Sequence, residues 1–349
     1  MDRPTTIRGR SVILLLLFNY IDLTTFIKQR HNMLAHVVLF SLLLWTLPFA
    51  SSANAERVKI VTWNIRDTLS LEDIAAREVD FQTFARELKP DILVLQEVGS
   101  AEVVEKLKYR MGLNNFHTAV SDFMAADLPG QRDLEIAVIS KYPLTQILEF
   151  DPVPDSRESG SEEILITAPA SLGFDAIQTN LGYLWVYIRK LRLTLSVVLL
   201  KSSGDAKGLG DAKNAEQREY VASAVALRVN QNLEFFPEHA HIVAGDFNVG
   251  HSDEKNGISL ERDCYKNCGP KDRYDETHAL LSAGLVEGLK MRNLASSVKS
   301  STHLSKPGSP IDNIYVGGDL APRFSSAVKE ERPYGSDHFP IWTIYESPQ

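Results

Sequence analysis

The stretch HIVAGDFNVGHSD, residues 241–253, passes from an apolar segment directly into polar side chains. Residues 242–244 form an apolar run that predicts a buried strand, and Gly245 follows it. Because residues i and i+2 of a strand share a face, we expect Asp246 and Asn248 to point to the same side. A sheet edge could hold two oxygen ligands in this way, but Gly, Asp and Asn also favour ordinary turns. The stretch alone leaves a turn and a ligand pair as alternatives.

The composition is that of a globular protein with a large core, since 44% of the 349 residues are hydrophobic and 23% are charged. The N-terminal region differs from the rest. Its segment MLAHVVLFSLLLWTLPFASSANA, residues 33–55, has an apolar centre and ends in Ala-x-Ala. We predict that residues 1–55 are a leader containing a signal peptide and that residues 56–349 form one folded domain.

The leader predicts export, so we expect a secreted or periplasmic protein whose mature chain starts near Glu56. The leader has two apolar runs, SVILLLLFNYI at residues 11–21 and the apolar centre at residues 37–47. Both are shorter than the ~20 residues of a typical membrane helix, which predicts no stable membrane span after leader removal. Two alternatives stay open. Translation begins at Met1 or at Met33, and the leader is either cleaved or kept as a membrane anchor.

The predicted mature part is acidic. Residues 1–55 hold five of the 37 Lys and Arg residues and two of the 45 Asp and Glu residues, so the remainder has a net charge of −11. This argues against a protein that depends on non-specific contacts with nucleic-acid backbones, but allows an enzyme with a local basic groove. Cys264 and Cys268 lie in one polar loop, either as a disulfide or as free thiols, since one Cys pair alone is a weak zinc signal.

Apolar runs and helical periodicity alternate along the domain, with a polar surface excursion expected over residues 151–180. The predicted strands, the fourth of them a hairpin, are RVKIVTWNI, DILVLQEV, LEIAVISKYPL, LWVYIRKLRLTLSVVLLKSS, HIVAGD, PIDNIYV and HFPIWTIY. The predicted helices are EVDFQTFARELKPD, AEVVEKLKYRMG, NAEQREYVASAVALRVNQNL and a short one near residues 277–281. Alternating elements with several short links predict mixed sheets with helices outside, which is an α/β layered architecture.

Polar side chains lie at or beside the ends of these strands. The set comprises Asn64, Glu97, Asp246, Asn248, Asp312, Asp337 and His338. Gathering carboxylates at one edge costs repulsion unless a cation is present. Oxygen ligands without thiolates suit Mg²⁺ or Mn²⁺, and a neighbouring His supplies acid–base capacity near neutral pH.

Six segments resemble, in order, the motifs of the endonuclease/exonuclease/phosphatase superfamily: TWNI, LQEV, IAVISKYPL, GDFN, IDNIYV and SDHFPIW. Its members include secreted deoxyribonucleases, abasic-site endonucleases, inositol-polyphosphate phosphatases and sphingomyelinases. The resemblance covers residues 57–345 and implies that residues 56–349 are a catalytic domain. The implied fold is a four-layer α/β sandwich, in which two mixed β-sheets pack face to face with helices outside.

The resemblance also implies a role for each strand-end residue. Asn64, Glu97 and Asp337 would hold Mg²⁺ or Mn²⁺, and Asp67 would add an outer carboxylate.

Four further residues would be catalytic. Asp246 would orient or deprotonate the attacking water, and Asn248 would hold that water or the phosphate. His338 would contact the scissile phosphate, and Asp312 would fix the His338 ring by a hydrogen bond.

One position departs from the family pattern. Many relatives read HLKS where this chain reads LLKS, so Leu199 stands in place of a His that assists the leaving group. Leu cannot transfer a proton, and general acid–base help is typically worth roughly 10²–10⁴-fold in rate. His251 either compensates or is an ordinary loop residue.

The sequence therefore predicts a metal-dependent, nuclease-like phosphodiester hydrolase. We expect it to be a monomer and to act on a phosphate ester, with nucleic acid as one candidate substrate. The alternatives are a phosphomonoesterase or lipid phosphodiesterase of the same fold, and a catalytically weakened binding protein, which the substitution at Leu199 keeps open.

Overall fold

The computed structural model describes residues 55–123, 134–152, 162–169, 179, 181–203, 212–250, 275–286, 288–306 and 308–348. The predictions for the leader up to residue 54, for His251 and for the two cysteines fall outside these residues.

Thirteen strands and five α-helices are described. The strands are β1 (Arg57–Thr68), β2 (Ile92–Val98), β3 (His117–Val120), β4 (Glu135–Ser140), β5 (Gln146–Asp151), β6 (Glu162–Leu165), β7 (Tyr183–Ile188), β8 (Leu193–Leu199), β9 (Ala240–Asp246), β10 (Arg292–Asn293), β11 (Asp312–Gly317), β12 (Val328–Lys329) and β13 (Ile341–Glu346). The helices are α1 (Leu71–Ala76), α2 (Glu78–Leu88), α3 (Ala101–Arg110), α4 (Ala212–Phe235) and α5 (Thr277–Ser282).

The strands form two mixed sheets. The first has the order β12-β13-β1-β2-β4-β3 and the second the order β10-β11-β9-β8-β7-β5-β6. The pairs β1/β2, β8/β9 and β5/β6 are parallel, and the other pairs are antiparallel.

Strand alternation explains why the sheets pack into layers. In β1, Val58 and Ile60 point into the core between the sheets, whereas Val61 and Trp63 point outward against α1, α2 and α3. The second sheet has its outer core against α4 and α5. Because both faces of each sheet are covered, the central strands are apolar on both sides. The predicted four-layer α/β sandwich is confirmed.

Strands β3, β5, β6, β10 and β12 and helix α1 were not expected. The stretch 151–180, predicted as a surface excursion, contains β6, which pairs with β5 at a sheet edge. Helix α1 begins with a capping box, in which the Ser70 and Asp73 side chains bond each other's backbone N–H, a pattern readable from sequence. In the part of the chain that the structure describes, no helix has both the length and the apolar composition needed to cross a membrane.

Candidate active site

Strand ends from both sheets meet at one edge of the sandwich. The parallel neighbours β1 and β2 carry Asn64 and Glu97 near their carboxyl ends. In the second sheet, Asp246 ends β9 and is the register partner of Asp312, which begins β11.

Asn64 joins the two sheets at this edge. Its Nδ2 donates to Glu97 Oε1 on its own sheet, at 2.8 Å, and to Asp246 Oδ2 on the other sheet, at 3.0 Å. Its Oδ1 accepts from the backbone N–H of Arg66 at 2.9 Å. Because a backbone N–H can only donate, this third bond identifies the amide oxygen and leaves the NH₂ group facing the carboxylates.

Asp246 and Asn248 lie together, but strand alternation is not the reason. β9 ends at Asp246, and Asn248 has a left-handed backbone conformation with φ of 56°. The Asn248 backbone N–H donates to Asp246 Oδ1 at 2.8 Å, and Asn248 Nδ2 lies 3.2 Å from Oδ2. The expectation of a shared strand face was therefore wrong in its geometry, because a turn closed by the Asp side chain brings the two groups together.

Asp312 holds the ring of His338, with Nδ1 lying 2.9 Å from Asp312 Oδ2. An ionised carboxylate only accepts hydrogen bonds, so Nδ1 carries a proton. Burial lowers the pKa of His338, but the carboxylates of Asp312 and Asp246 outweigh this effect and raise the pKa to about 9. The ring is therefore charged near neutral pH, and its Nε2 lies 3.8 Å from Asp246 Oδ2.

The backbone around His338 is tied to β1. Ser336 Oγ donates to the carbonyl oxygen of Asn64 at 2.8 Å and accepts from the His338 backbone N–H at 3.0 Å. Trp63 Nε1 donates to the carbonyl oxygen of His338 at 3.2 Å. These bonds to Trp63 and Asn64 of β1 hold the His338 backbone next to the Asn64 side chain.

Glu97 has the surroundings of a cation ligand. Its two oxygens accept from the amide of Asn64 and from the backbone N–H of Asp67, and both donors are neutral. Burial raises the pKa of Glu97 against the effect of the Asn64 hydrogen bond, and the nearby charge of Asp246 raises it further. A divalent cation would remove this unfavourable charge, so the donor set fits a hard metal ion.

The carboxylate of Asp337 lies beside Arg66 and His303. Its Oδ2 lies 3.6 Å from Arg66 Nε and 3.7 Å from His303 Nε2, both too long for strong hydrogen bonds. Glu97 and Asp337 are carboxylates of the kind that Mg²⁺ and Mn²⁺ take. Asn64, the third predicted metal ligand, has its Oδ1 bonded to the Arg66 N–H and its Nδ2 turned towards the carboxylates. Asp67 contributes its backbone N–H to Glu97.

Carboxylate and imidazole groups also come within 4.8 Å of one another in two further sets, His303/Asp337/His338 and Asp246/Asp312/His338. His338 belongs to both sets. Its Nδ1 proton is held by Asp312, so only its Nε2 could face a cation, and this nitrogen lies 3.8 Å from Asp246 Oδ2.

Two residues of this site, His303 and Lys306, are absent from the sequence prediction. Lys306 Nζ donates to Asn248 Oδ1 at 2.9 Å, and the His303 ring meets the His338 ring edge to face with centroids 4.6 Å apart. An antiparallel bridge between His303 and His338 brings the segment here. Its sequence, THLSKPGS at residues 302–309, has the composition of an ordinary polar loop, so no local signal separates it from other loops.

Leu199 lies beside the site as an apolar residue. It ends β8, is the register partner of Asp246 and is 3% exposed. Its side chain packs in the core between the sheets. No proton-transferring group therefore stands at this position next to Asp246.

A family model and several solved structures match this chain. The sequence model of the endonuclease/exonuclease/phosphatase family matches residues 61–338. A comparison with curated proteins finds no match.

Solved structures of similar fold share little sequence with this chain. An abasic-site (AP) endonuclease from Archaeoglobus fulgidus is 14% identical, with a TM-score of 0.51, covering 83% of this chain and 99% of its own. A 3′ phosphatase from Neisseria, bound to a product DNA hairpin, is 17% identical with a TM-score of 0.51. The match covers 82% of this chain and 99% of the phosphatase chain. An AP endonuclease from Leishmania major is 16% identical with a TM-score of 0.53, covering 84% and 88%. At these identities the likeness establishes the fold.

Proposed function

The chain belongs to the endonuclease/exonuclease/phosphatase family, and we propose that it is a metal-dependent phosphodiester hydrolase of the nuclease type. The observation that supports this most strongly is the joining of Asp246 to both Asn64 and Asn248 beside the Asp312–His338 pair. This arrangement brings a buried carboxylate, two amides and an imidazole held by a second carboxylate together, which supports a mechanism of water activation next to a phosphate.

Asp246 is the proposed general base. It is 1% exposed, and burial raises its pKa, while the charge of His338 lowers it. A carboxylate whose affinity for protons is increased in this way can accept the proton of an attacking water. Asn248, oriented by Asp246 and Lys306, would position that water or a phosphate oxygen.

His338 is the proposed electrostatic stabiliser. Asp312 fixes its ring and keeps it charged, so its Nε2–H can donate to a phosphate oxygen as negative charge builds there. Mg²⁺ or Mn²⁺, held by the carboxylates of Glu97 and Asp337, would neutralise charge on the phosphate, and Asn64 would orient Glu97 through its Nδ2.

The direct test is hydrolysis of bis-p-nitrophenyl phosphate with Mg²⁺ or Mn²⁺ and again with EDTA. We expect EDTA to abolish the reaction and Asp246→Ala to slow it by at least about a hundredfold, within the usual range for loss of a general base. Asp319→Ala, at an exposed position, is the matched control and should behave as wild type. Equal rates in Asp246→Ala and wild type would reject this role for Asp246.

The substrate class is tested separately with plasmid DNA, RNA, sphingomyelin and phosphomonoesters, each with and without EDTA. The DNA hairpin bound by the Neisseria 3′ phosphatase makes DNA the first substrate to try. We propose a nucleic-acid phosphodiester as the substrate and a monomer as the active form. Cleavage of sphingomyelin alone would make the protein a lipid phosphodiesterase, and cleavage of a phosphomonoester alone would make it a phosphomonoesterase.

The burial of Leu199 beside Asp246 supports a second candidate, a binding protein with weakened catalysis. Such a protein would bind a phosphate ester with divalent cations but would not turn it over. Metal-dependent turnover that requires Asp246 decides for the enzyme.

Export is proposed from the leader sequence. The mature N-terminus should lie at or near Glu56, after Ala53-Asn54-Ala55. N-terminal sequencing of the protein from the periplasm or medium tests this, and an intact leader on a cytoplasmic protein would reject it.

A further inference from the structure

The protonation of His303 can be read from its surroundings. Its Nδ1 lies 3.0 Å from the backbone nitrogen of Ser305. Because a backbone N–H only donates, Nδ1 must be the accepting nitrogen, and the proton of the neutral ring is on Nε2. In this tautomer Nε2 has no lone pair for a metal ion, so the contact of His303 with Asp337 is not that of a second ligand.

The Nε2–H of His303 faces the site without a close acceptor from the described residues. It lies 3.7 Å from Asp337 Oδ2, and the ring stands edge to face against the ring of His338. Its side chain is 11% exposed, so the donor is shielded from bulk water but is not sealed off.

Backbone hydrogen bonds hold His303 in place on both sides. Leu304 N donates to the carbonyl oxygen of Asp337 at 2.8 Å, and Phe339 N donates to that of Thr302 at 2.7 Å. Thr302 Oγ1 also accepts from the backbone N–H of Asp312 at 3.0 Å. The segment is therefore bonded to the chain that carries His338 and Asp337 and to the first residue of β11. A donor fixed in this way needs little reorganisation during a reaction.

The same segment brings positive charge to the site. Lys306 Nζ donates to Asn248 Oδ1, and its charge acts on Asp246 and on His303. A phosphate oxygen approaching this side would meet an N–H donor and an ammonium group.

We propose that His303 donates its Nε2–H to an oxygen of the scissile phosphate, and so supplies an imidazole hydrogen bond that Leu199 cannot make. This inference rests on the proposed phosphodiesterase function. It assigns His303 as a catalytic residue in its neutral form, distinct from the charged His338.

Two substitutions separate the role of the His303 Nε2–H from the hydrogen bond that Nδ1 accepts from the Ser305 N–H. His303→Gln places an amide N–H near the position of Nε2, whereas His303→Asn places an amide oxygen near that of Nδ1, where Ser305 donates. If the Nε2–H acts on the phosphate, His303→Asn should lower kcat about a hundredfold, as for loss of one transition-state donor, and His303→Gln should keep most of the activity. His117→Asn, at an exposed position on β3, is the control. Equal kcat in the Asn and Gln variants would overturn the proposal.

A second measurement does not depend on turnover. Ring ¹⁵N spectra of the wild-type protein should show His303 as the Nε2–H tautomer, and inorganic phosphate with Mg²⁺ should shift its Nε2 signal. An Nδ1–H tautomer, or no response to phosphate, would overturn the inference even in an active enzyme. If the protein hydrolyses nothing in the substrate panel, the proposed function fails, and the phosphate response then decides alone whether His303 is an oxyanion donor.

Discussion

At the scale of single residues, Glu97 gives the sharpest test of the metal site. Glu97→Gln keeps an oxygen acceptor for the Asp67 N–H but removes the charge. Removing a residue that only hydrogen-bonds a metal ligand typically lowers metal affinity by roughly 10–100-fold. Because Glu97 is proposed to bind the metal directly, we expect the Mg²⁺ affinity of Glu97→Gln to fall by more than this. The metal-free fold should survive, because burial already disfavours the Glu97 carboxylate.

Calorimetric titration with Mg²⁺ checks this affinity, and thermal unfolding in EDTA checks the fold. Glu102→Gln, at an exposed position on α3, is the matched control. Unchanged Mg²⁺ binding in Glu97→Gln would remove Glu97 from the site.

Leu199→His tests whether the departure from the family pattern limits the rate. We expect turnover of an unactivated phosphodiester to rise at least about tenfold, since a general acid helps a poor leaving group. Bis-p-nitrophenyl phosphate should gain little. The polar ring in a buried position should lower the free energy of unfolding by about 1–3 kcal/mol if it finds no partner. Rates that stay equal or fall for both substrates, with the fold intact, would show that another group does this work.

The residues of the site differ in how well the sequence identified them. Asp246 and Asn248 follow an apolar strand, so their special position was visible, but the turn that joins them depends on a left-handed backbone at Asn248. His303 and Lys306 could not be found in this way. They reach the site through the bridge between His303 and His338, which pairs distant segments and leaves no periodic pattern in either one.

At the scale of elements, a buried ion pair ties α4 to the chain that enters α5. Arg218 Nε lies 2.8 Å from Asp275 Oδ2, both side chains are 0% exposed, and Arg218 also donates to the carbonyl oxygen of Lys201. We expect Arg218→Met to lower the free energy of unfolding by about 3–5 kcal/mol, because Asp275 is left buried without its partner. Urea denaturation measures this change.

An exposed pair provides the matched control for that substitution. Arg332 lies 3.0 Å from Glu87 with 65% of its side chain exposed, so Arg332→Met should change stability by about 1 kcal/mol or less. Adding Asp275→Asn to Arg218→Met should recover part of the loss. A loss for Arg218→Met no larger than that for Arg332→Met would show that the buried pair has no special role.

Most elements were visible in the sequence because their central strands are apolar on both faces, as in β2 and β9. Five strands were not visible, namely β3, β5, β10, β12 and β6. The four residues of β6, EEIL, include two acids and lie between polar stretches. This strand forms because β5 offers an edge for pairing, and this is a tertiary effect that local composition does not record.

At the scale of the whole molecule, acid should destabilise the fold through His241. Its Nε2 donates to the Phe236 carbonyl oxygen, and in the neutral ring that burial favours its Nδ1 accepts from Thr194 Oγ1. Burial lowers the pKa of His241 to about 4, against about 6.5 in an unfolded chain. At His241 the unfolded state therefore binds more protons between these values. This residue alone contributes a loss of stability of up to about 3 kcal/mol as the pH drops from about 6.5 to 4.

Urea denaturation at a series of pH values checks this prediction. At neutral pH the His241→Asn variant should be less stable than wild type, because it lacks the His hydrogen bonds. Its free energy of unfolding should fall less steeply towards pH 4 than that of wild type. His117→Asn, with its exposed ring removed, should keep the wild-type slope. Identical slopes in His241→Asn and wild type would assign the acid sensitivity to other groups.

The bond from Asn64 to Asp246 has a kinetic consequence. It connects positions 182 residues apart and belongs to a site built from both sheets, so neither sheet alone contains a working centre. Contacts between positions so distant in sequence form slowly during folding. In a refolding experiment, helical signal should therefore return before hydrolysis does. A newly made, still unfolded chain would carry every side chain of the candidate site and yet be inactive until its two sheets pack on each other.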